Sequence, residues 1–196
     1  MKRYFKNREL LEKNNVYSRK MEHDACGVGL VASTEGKKSR KVVEYGIQAL
    51  KAVWHRGAVD ADGKTGDGAG IHVEIPKEFF KEKIELTGHN YDNSEICIGM
   101  IFLPRNNYEA QENCRTLVEK ELTQNNFNIY GWRQVPVNTK VLGEKAEQTR
   151  PEITQVLFKH NDQKLSGKSL EIKLYETRRK IENNVRQNHL DNFYIC

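Results

Sequence analysis

Four cysteines are spread through 196 residues and never fall into a C-x-x-C pair. Cys26, Cys97, Cys114 and Cys196 therefore form no local zinc or redox motif, and their wide spacing suits a reducing compartment, the cytoplasm, better than a disulfide framework. His23, His55, His72, His89, His160 and His189 make neither H-x-H nor H-E-x-x-H, so the sequence holds no sign of a metal site. No apolar run approaches the roughly 20 residues of a membrane span. The N-terminus has no apolar core of a secretory signal, and Glu9, Glu12, Glu22 and Asp24 interrupt its basic residues in a way that a transit peptide would not. The net charge of +5 is spread along the chain and builds no basic patch for nucleic acid. There is no internal repeat and no low-complexity tract.

What remains is a polar chain, 37% hydrophobic and 30% charged, long enough for one domain with a sizeable core. Residues 1–25 read as a polar leader that is partly helical. Behind it, Asp24-Ala25-Cys26-Gly27-Val28-Gly29-Leu30 opens an apolar alternation, and Val28, Leu30 and Ala32 would form one face of a strand reaching Ser33. Cutting the chain after Ala25 would leave Cys26 with both a thiol and an α-amine. An α-amine titrates near pH 8, so it can act as a base for its own thiol and no separate histidine is needed. Without such a cut, Cys26 is a small buried cysteine in a strand.

From Arg40 to His55 the apolar residues recur as Val42/Val43, Gly46/Ile47, Ala49/Leu50 and Val53/Trp54, the spacing of an amphipathic helix with Ser39 as its N-cap and Gly57 beyond its end. His55 reads as a packing or capping residue. The following loop contains Gly63-Lys64-Thr65-Gly66-Asp67-Gly68-Ala69-Gly70. It is not a phosphate loop: the first glycine of that motif would fall on Ala58, and the order is helix, loop, strand. Gly66, Gly68 and Gly70 likewise fail the dinucleotide fingerprint. Asp60 and Asp62 could open a calcium loop, but Lys64 takes the next ligand position. A tight loop packed beside the active cysteine is the better reading.

Farther on, Ile71, Val73 and Ile75 alternate with polar residues as a strand would, and Lys77 to Lys81 is a helical turn. Glu95 to Leu103 is apolar on both faces, as a central strand is. Asn107 to Asn125 reads as a helix with Tyr108, Cys114, Leu117, Val118 and Leu122 inward. Strands are expected at 127–137 and 153–158, a short helix at 143–149, and a helix at 169–185 with Leu170, Leu174, Tyr175, Ile181 and Val185 inward. Phe193-Tyr194-Ile195-Cys196 looks like the start of a strand, from which a longer product is expected. The alternation of strands and helices alone admits a doubly wound parallel sheet.

Two stretches decide otherwise. Asp24-Ala25-Cys26-Gly27-Val28-Gly29 and His55-Arg56-Gly57-Ala58-Val59-Asp60-Ala61-Asp62-Gly63-Lys64-Thr65-Gly66-Asp67-Gly68-Ala69-Gly70-Ile71-His72-Val73 strongly resemble the class II glutamine amidotransferase domain at the N-terminus of glutamate synthase large subunits. Gly131-Trp132-Arg133-Gln134-Val135-Pro136-Val137, Leu142-Gly143 and Pro151-Glu152-Ile153-Thr154-Gln155-Val156 extend the resemblance over most of 22–196. Other class II enzymes have a shorter segment in place of the glycine-rich loop.

The resemblance implies an α+β fold, the four-layer αββα sandwich of N-terminal nucleophile hydrolases, incomplete at its C-terminal end. It implies a propeptide over 1–25 and an amidotransferase portion over 26–196. Cys26 would be the nucleophile, with Arg56 bracing the pocket and the Gly57 carbonyl holding the terminal amine. Glutamine would be hydrolysed through a thioester, and ammonia passed to 2-oxoglutarate elsewhere in the whole enzyme, which serves glutamate biosynthesis and nitrogen assimilation. That enzyme would carry FMN and an iron–sulfur cluster, none in this segment, and would draw on a small reductase subunit or ferredoxin as partner. The family's oxyanion Asn-Gly pair, with the arginine and aspartate that clamp the substrate, belongs to later segments, and no Asn-Gly occurs here. The expectation for these 196 residues alone is inactivity. The alternatives are a non-catalytic truncated product and a different class II amidotransferase.

Overall fold

The computed structural model describes residues 27–196, the Arg56 side chain excepted, and, before them, Lys6, Asn7, Glu9, Leu10, Glu12 and Lys13. The chain divides into two units: residues 1–58 with 68–71, and residues 59–67 with 72–196.

In the first unit Ser39 is the expected N-cap, its hydroxyl accepting from the Lys41 N–H at 3.1 Å. Helix α1 runs Arg40–Ala52 and is followed by a 3-10 turn, Trp54–Arg56. Val42, Val43, Gly46, Ile47, Ala49, Leu50 and Val53 are its half-buried residues, so the face marked by the spacing is the least exposed one, although no residue of α1 is fully buried. Trp54 falls off that face and is 75% exposed.

The second unit is built on a four-stranded sheet: β1 (Cys97–Leu103), β2 (Phe127–Gln134), β3 (Glu152–His160) and β4 (Tyr194–Ile195). The order is β2-β3-β1-β4 and every pairing is antiparallel, so the parallel alternative is excluded and the α+β class holds. β1 lies inside the sheet, as its two apolar faces require. It pairs with β3 from Cys97↔Phe158 to Leu103↔Glu152, and with β4 at Ile101↔Ile195 and Phe102↔Tyr194. β2 and β4 lie at the two edges, and Pro136 follows just beyond β2.

Alternation sorts the strand residues onto two faces. Cys97, Ile101, Leu103, Val156, Phe158 and Phe127 share a core with Cys114, Val118 and Leu122 of helix α3 (Tyr108–Gln124) and Leu170, Ile181 and Val185 of helix α5 (Gly167–Gln187). The opposite face gathers Leu157, Tyr130 and Ile96 under Phe80 and Ile84 of helix α2 (Lys77–Glu85). Full burial of each such aliphatic side chain stabilises by about 1.5–3 kcal/mol. A polar seam joins the helix pair: Asn184 donates to the buried Glu121 carboxylate at 2.6 Å, and Lys180 donates to Asn125 at 2.7 Å. Between the strands, the loop before β1 is tied down by Asp92, which accepts from Lys159, Ser94 and the Tyr130 hydroxyl. Lys159 is the main reason that Asp92 stays far below the ordinary carboxylate range.

Several expectations need correction. Residues 27–33 form no ladder, and Val28 and Leu30 are 91% and 92% exposed. Ile71, Val73 and Ile75 likewise stay outside any strand. A period of two marks residues suited to a sheet, but a strand exists only where a partner pairs with it, and none of the described residues does so here. Tyr108 and Tyr175, expected inward, are 79% and 58% exposed, because the apolar faces of α3 and α5 are filled by their smaller aliphatic neighbours.

These burials give a direct stability test. Ile101→Ala should cost about 2–5 kcal/mol in urea denaturation, whereas Leu30→Ser should stay within about 0.5 kcal/mol.

Candidate functional site

The backbone around Arg56 and Gly57 follows from how α1 stops. The Val53 N–H bonds back to Ala49 and Lys51, and the His55 ring nitrogen Nδ1 donates to the Ala52 carbonyl at 3.2 Å, so His55 caps the helix end as expected. The tighter 3-10 turn then brings the Gly57 N–H to the Trp54 carbonyl at 3.0 Å. Gly57 itself has φ −83° and ψ 139°, an extended conformation open to any residue, so it is not a left-handed helix-ending glycine. A methyl group on it would meet the Trp54 carbonyl at an ordinary 3.4 Å. Cys26 lies outside the described residues, so its distance from this step is not among the geometry.

Beyond Ala58 the glycine-rich loop turns into a miniature hairpin. Val59 and Gly66 bridge antiparallel, and the Asp60 N–H donates to the Thr65 carbonyl at 2.7 Å. Gly63 takes φ +68° at the turn, where a side chain would be strained. Asp62 Oδ1 accepts from the Lys64 and Thr65 amides at 2.9 and 2.7 Å, and Oδ2 accepts from the Thr65 hydroxyl at 2.6 Å. Two amides that a phosphate would use, those of Lys64 and Thr65, are thus taken by the loop's own carboxylate.

The hairpin is docked. Lys145, the second residue of helix α4 (Glu144–Thr149), pairs with Asp60 at 2.6 Å. A Cβ on Gly143 would lie 2.5 Å from the Thr65 nitrogen, and closer still to Thr65 Oγ1 and Asp62 Oδ2, so only glycine fits there. The Thr65 hydroxyl is the largest of the contacts that hold Asp62 down to about 2 from its ordinary 3.8, with the Lys64, Thr65 and Glu144 amides adding to it. Leu142-Gly143 and Asp62 each stand out in the sequence, but nothing there joins them. The Asp-Gly-Lys-Thr turn signal and the glycine before a helix start were both visible, but their juxtaposition was not.

The other cysteines divide by environment. Burial pushes the Cys97 thiol up to about 12 and raises Cys114, so neither is a ready thiolate, while Cys196 is exposed. A cavity of about 490 Å³ beside β1 is lined by Cys97, Gly99, Val156, Leu174, Ile181 and Ile195 among others, and it is mostly hydrocarbon. Among the described residues no three His, Cys, Asp or Glu side chains converge as metal ligands. Among them, too, no helix is long and apolar enough to cross a membrane.

Comparison with known proteins agrees with the antiparallel α+β frame and with the residue pattern of the loop. Residues 26–196 match the glutamine amidotransferases class-II family, and the chain belongs to that family. Within it, the chain is similar to glutamate synthases. It is 53% identical to the glutamate synthase [NADPH] large chain of Azospirillum brasilense over 182 residues, which cover 93% of this chain and 12% of that protein. It is 35% identical to the ferredoxin-dependent glutamate synthase of Pyropia yezoensis over 191 residues, 95% of this chain and 12% of that one. It is 35% identical to the glutamate synthase [NADPH] large chain of Bacillus subtilis over 173 residues, 86% and 11%. The chain therefore spans about an eighth of the length of these relatives.

Two measurements follow. Because Asp62 titrates lower in the folded state than its ordinary 3.8, its contribution is full above about pH 4 and is lost as pH falls toward about 2. Asp62→Asn should therefore lower stability near pH 7, where that contribution is full, and flatten the acid limb of the stability curve between those values. In thiol labelling of the native chain at pH 8, Cys196 should react readily, while Cys97 and Cys114 should react only after denaturant is added.

Proposed function

We propose that this chain is the leading part of the glutaminase of a glutamate synthase, with Cys26 as nucleophile and residues 1–25 as a propeptide removed before it acts. The observation that carries the reading is that the family match begins at Cys26 itself. The 53% identity to a glutamate synthase large chain supports it further and weighs against a more distant class II enzyme.

In this reading the Cys26 α-amine takes the thiol proton and the thiolate attacks the side-chain amide carbon of glutamine. The C–N bond breaks, the amine returns the proton to the departing ammonia, and a γ-glutamyl thioester remains. Water then cleaves the thioester to glutamate and regenerates the thiol. In this reading the Gly57 carbonyl, on extended backbone just after the turn, accepts from the terminal amine. Arg56 follows the same turn and would brace the pocket.

The larger activity is proposed from the relatives. Ammonia would pass to a second site where 2-oxoglutarate is aminated and reduced, with NADPH through a reductase subunit or with ferredoxin, in the cytoplasm. FMN and an iron–sulfur cluster would supply electron transfer there. Among the described residues no three His, Cys, Asp or Glu side chains converge to hold a cluster, and Cys97 and Cys114 are locked in a hydrocarbon core, so no step is routed through either cofactor in this stretch.

In the full-length protein, Cys26→Ser should reduce glutamine hydrolysis by at least about 1000-fold, since it removes the group that forms the covalent intermediate. The mature protein should also begin at Cys26 by N-terminal sequencing. Unchanged hydrolysis by Cys26→Ser, or full activity with the leader retained, would overturn the reading.

A further inference from the structure

β4 covers only part of the open side of β1. The two strands pair at Ile101↔Ile195 and Phe102↔Tyr194, and Met100 and Cys196 then exchange both backbone bonds, at 2.7 and 3.0 Å. In an antiparallel ladder the residues that bond toward one neighbour come at every second position. Met100 bonds toward β4, so Ile98 directs its N–H and C=O to that same side, while Cys97 and Gly99 bond toward β3. Among the described residues no hydrogen bond meets Ile98 there. Beside this bare stretch lies the cavity of about 490 Å³, with Cys97, Gly99 and Ile195 along its strand side and Leu174 and Ile181 along its helix side. The two features coincide. Unpaired backbone groups at a sheet edge are a template for one more length of strand, and the hollow beside them has room for that strand's side chains.

We propose that β4 continues past Cys196 in the full-length protein, pairs with β1 as far back as Cys97, and fills the cavity with its side chains. The register follows from the pairs already formed. Met100 lies opposite Cys196, so each step back along β1 meets one step forward: Gly99 opposite position 197, Ile98 opposite 198 and Cys97 opposite 199. Ile98 and position 198 then exchange both backbone bonds, as Met100 and Cys196 do, and the bare groups of β1 are satisfied. Positions 197 and 199 share the face of Ile195, which is buried against the helix pair, so their side chains enter the cavity, while 198 shares the opposite face with Tyr194. Gly99 brings no side chain to the step where 197 arrives, which leaves that part of the hollow to the incoming residue. The relatives supply the length, since the chain covers 12% of the Azospirillum brasilense large chain. Covalent continuity with a strand already in register favours this occupant over a second copy, because its effective concentration is set by the chain itself. The proposal rests on the reading of this chain as the leading part of a longer one, and not on the role of Cys26.

The test is amide hydrogen exchange on the full-length protein, read residue by residue through β1. The Ile98 amide should exchange within about 10-fold of the Met100 amide, which the Cys196 carbonyl holds. A proline substituted at position 198 cannot donate to the Ile98 carbonyl, and should speed exchange of Ile98 by about 10-fold or more. A proline at 199, whose N–H would face the outer edge, should leave Ile98 within about 3-fold of wild type. If the proline variants do not fold, a cysteine introduced at 199 keeps the test available. It would stand roughly 4.5 Å from Cys97 between Cα atoms, inside the span a disulfide needs, and should link to Cys97 on mild oxidation, whereas a cysteine at 198, on the other face, should not. The linked peptides are identified by mass spectrometry. An Ile98 amide that exchanges as fast as an exposed loop would overturn the proposal. So would a protected Ile98 that ignores proline at 198, since another segment would then hold the edge, or protection lost on dilution, which would assign the edge to a second copy. A link at 198 in place of 199, or at neither, would overturn it likewise. None of these readouts involves glutamine hydrolysis, so failure of the glutaminase reading would be seen separately, in Cys26→Ser.

Discussion

The antiparallel pairing of β1 with β3 is the constraint on which the second unit depends. Seven consecutive residues, Cys97 to Leu103, face Phe158 to Glu152 in unbroken register. Because side chains alternate across a sheet, this register decides that Cys97, Ile101, Val156 and Phe158 meet the helix pair while Leu157 meets the short helix. A slip by one residue would exchange the two sets and turn hydrocarbon of both cores toward the wrong layer. Close packing reinforces the register: a Cβ on Gly99 would come within 2.9 Å of Val156 Cγ1, so the strand is narrowest where it crosses its partner's branched side chain. Edge strand β2 accommodates the same sheet with a bulge between Ile129 and Gly131, where Gly131 takes φ +149° with Thr87 packed against it.

How much of this could be read in the sequence follows from the range of each interaction. Helices α1, α3 and α5 were legible because their signal is local: a 3.6-residue period and, for α1, the cap Ser39. β1 was legible because an apolar run on both faces belongs inside a sheet. The segments around Val28 and Val73 carry an equally good alternation, yet they do not pair, because a strand is a property of two segments and periodicity describes one. Direction was also beyond periodicity: the choice of antiparallel over parallel came from resemblance, and the registers of all four strands agree with it.

The candidate site divides in the same way. The proposal of Cys26, Arg56 and Gly57 rests on two specific stretches of sequence, Asp24 to Gly29 and His55 to Val73. The turn chemistry that shapes the Arg56-Gly57 step was half-legible: His55 caps the helix, but Gly57 is extended where a helix-ending glycine would be left-handed. The docking of Asp62 on Gly143 was not legible, since the two positions become neighbours only when the loop and the start of α4 are brought together by the fold. The carboxylate of Asp62 also accounts for a false resemblance. A Gly-Lys-Thr sequence invites a phosphate, but in this geometry the anion is already supplied from within the loop.

The seam between α3 and α5 has a consequence for how the helix layer moves. Two purely aliphatic helices can slide past one another by a turn, about 5.4 Å, and find another set of tolerable contacts. Here such a slide would pull Asn184 from the Glu121 carboxylate and Lys180 from Asn125, stranding a buried charge and a buried amide, each at about 1–3 kcal/mol or more. The two helices are therefore indexed to each other like a toothed pair. Axial sliding of α5 along α3 is thus opposed by the same two hydrogen bonds that join the helices.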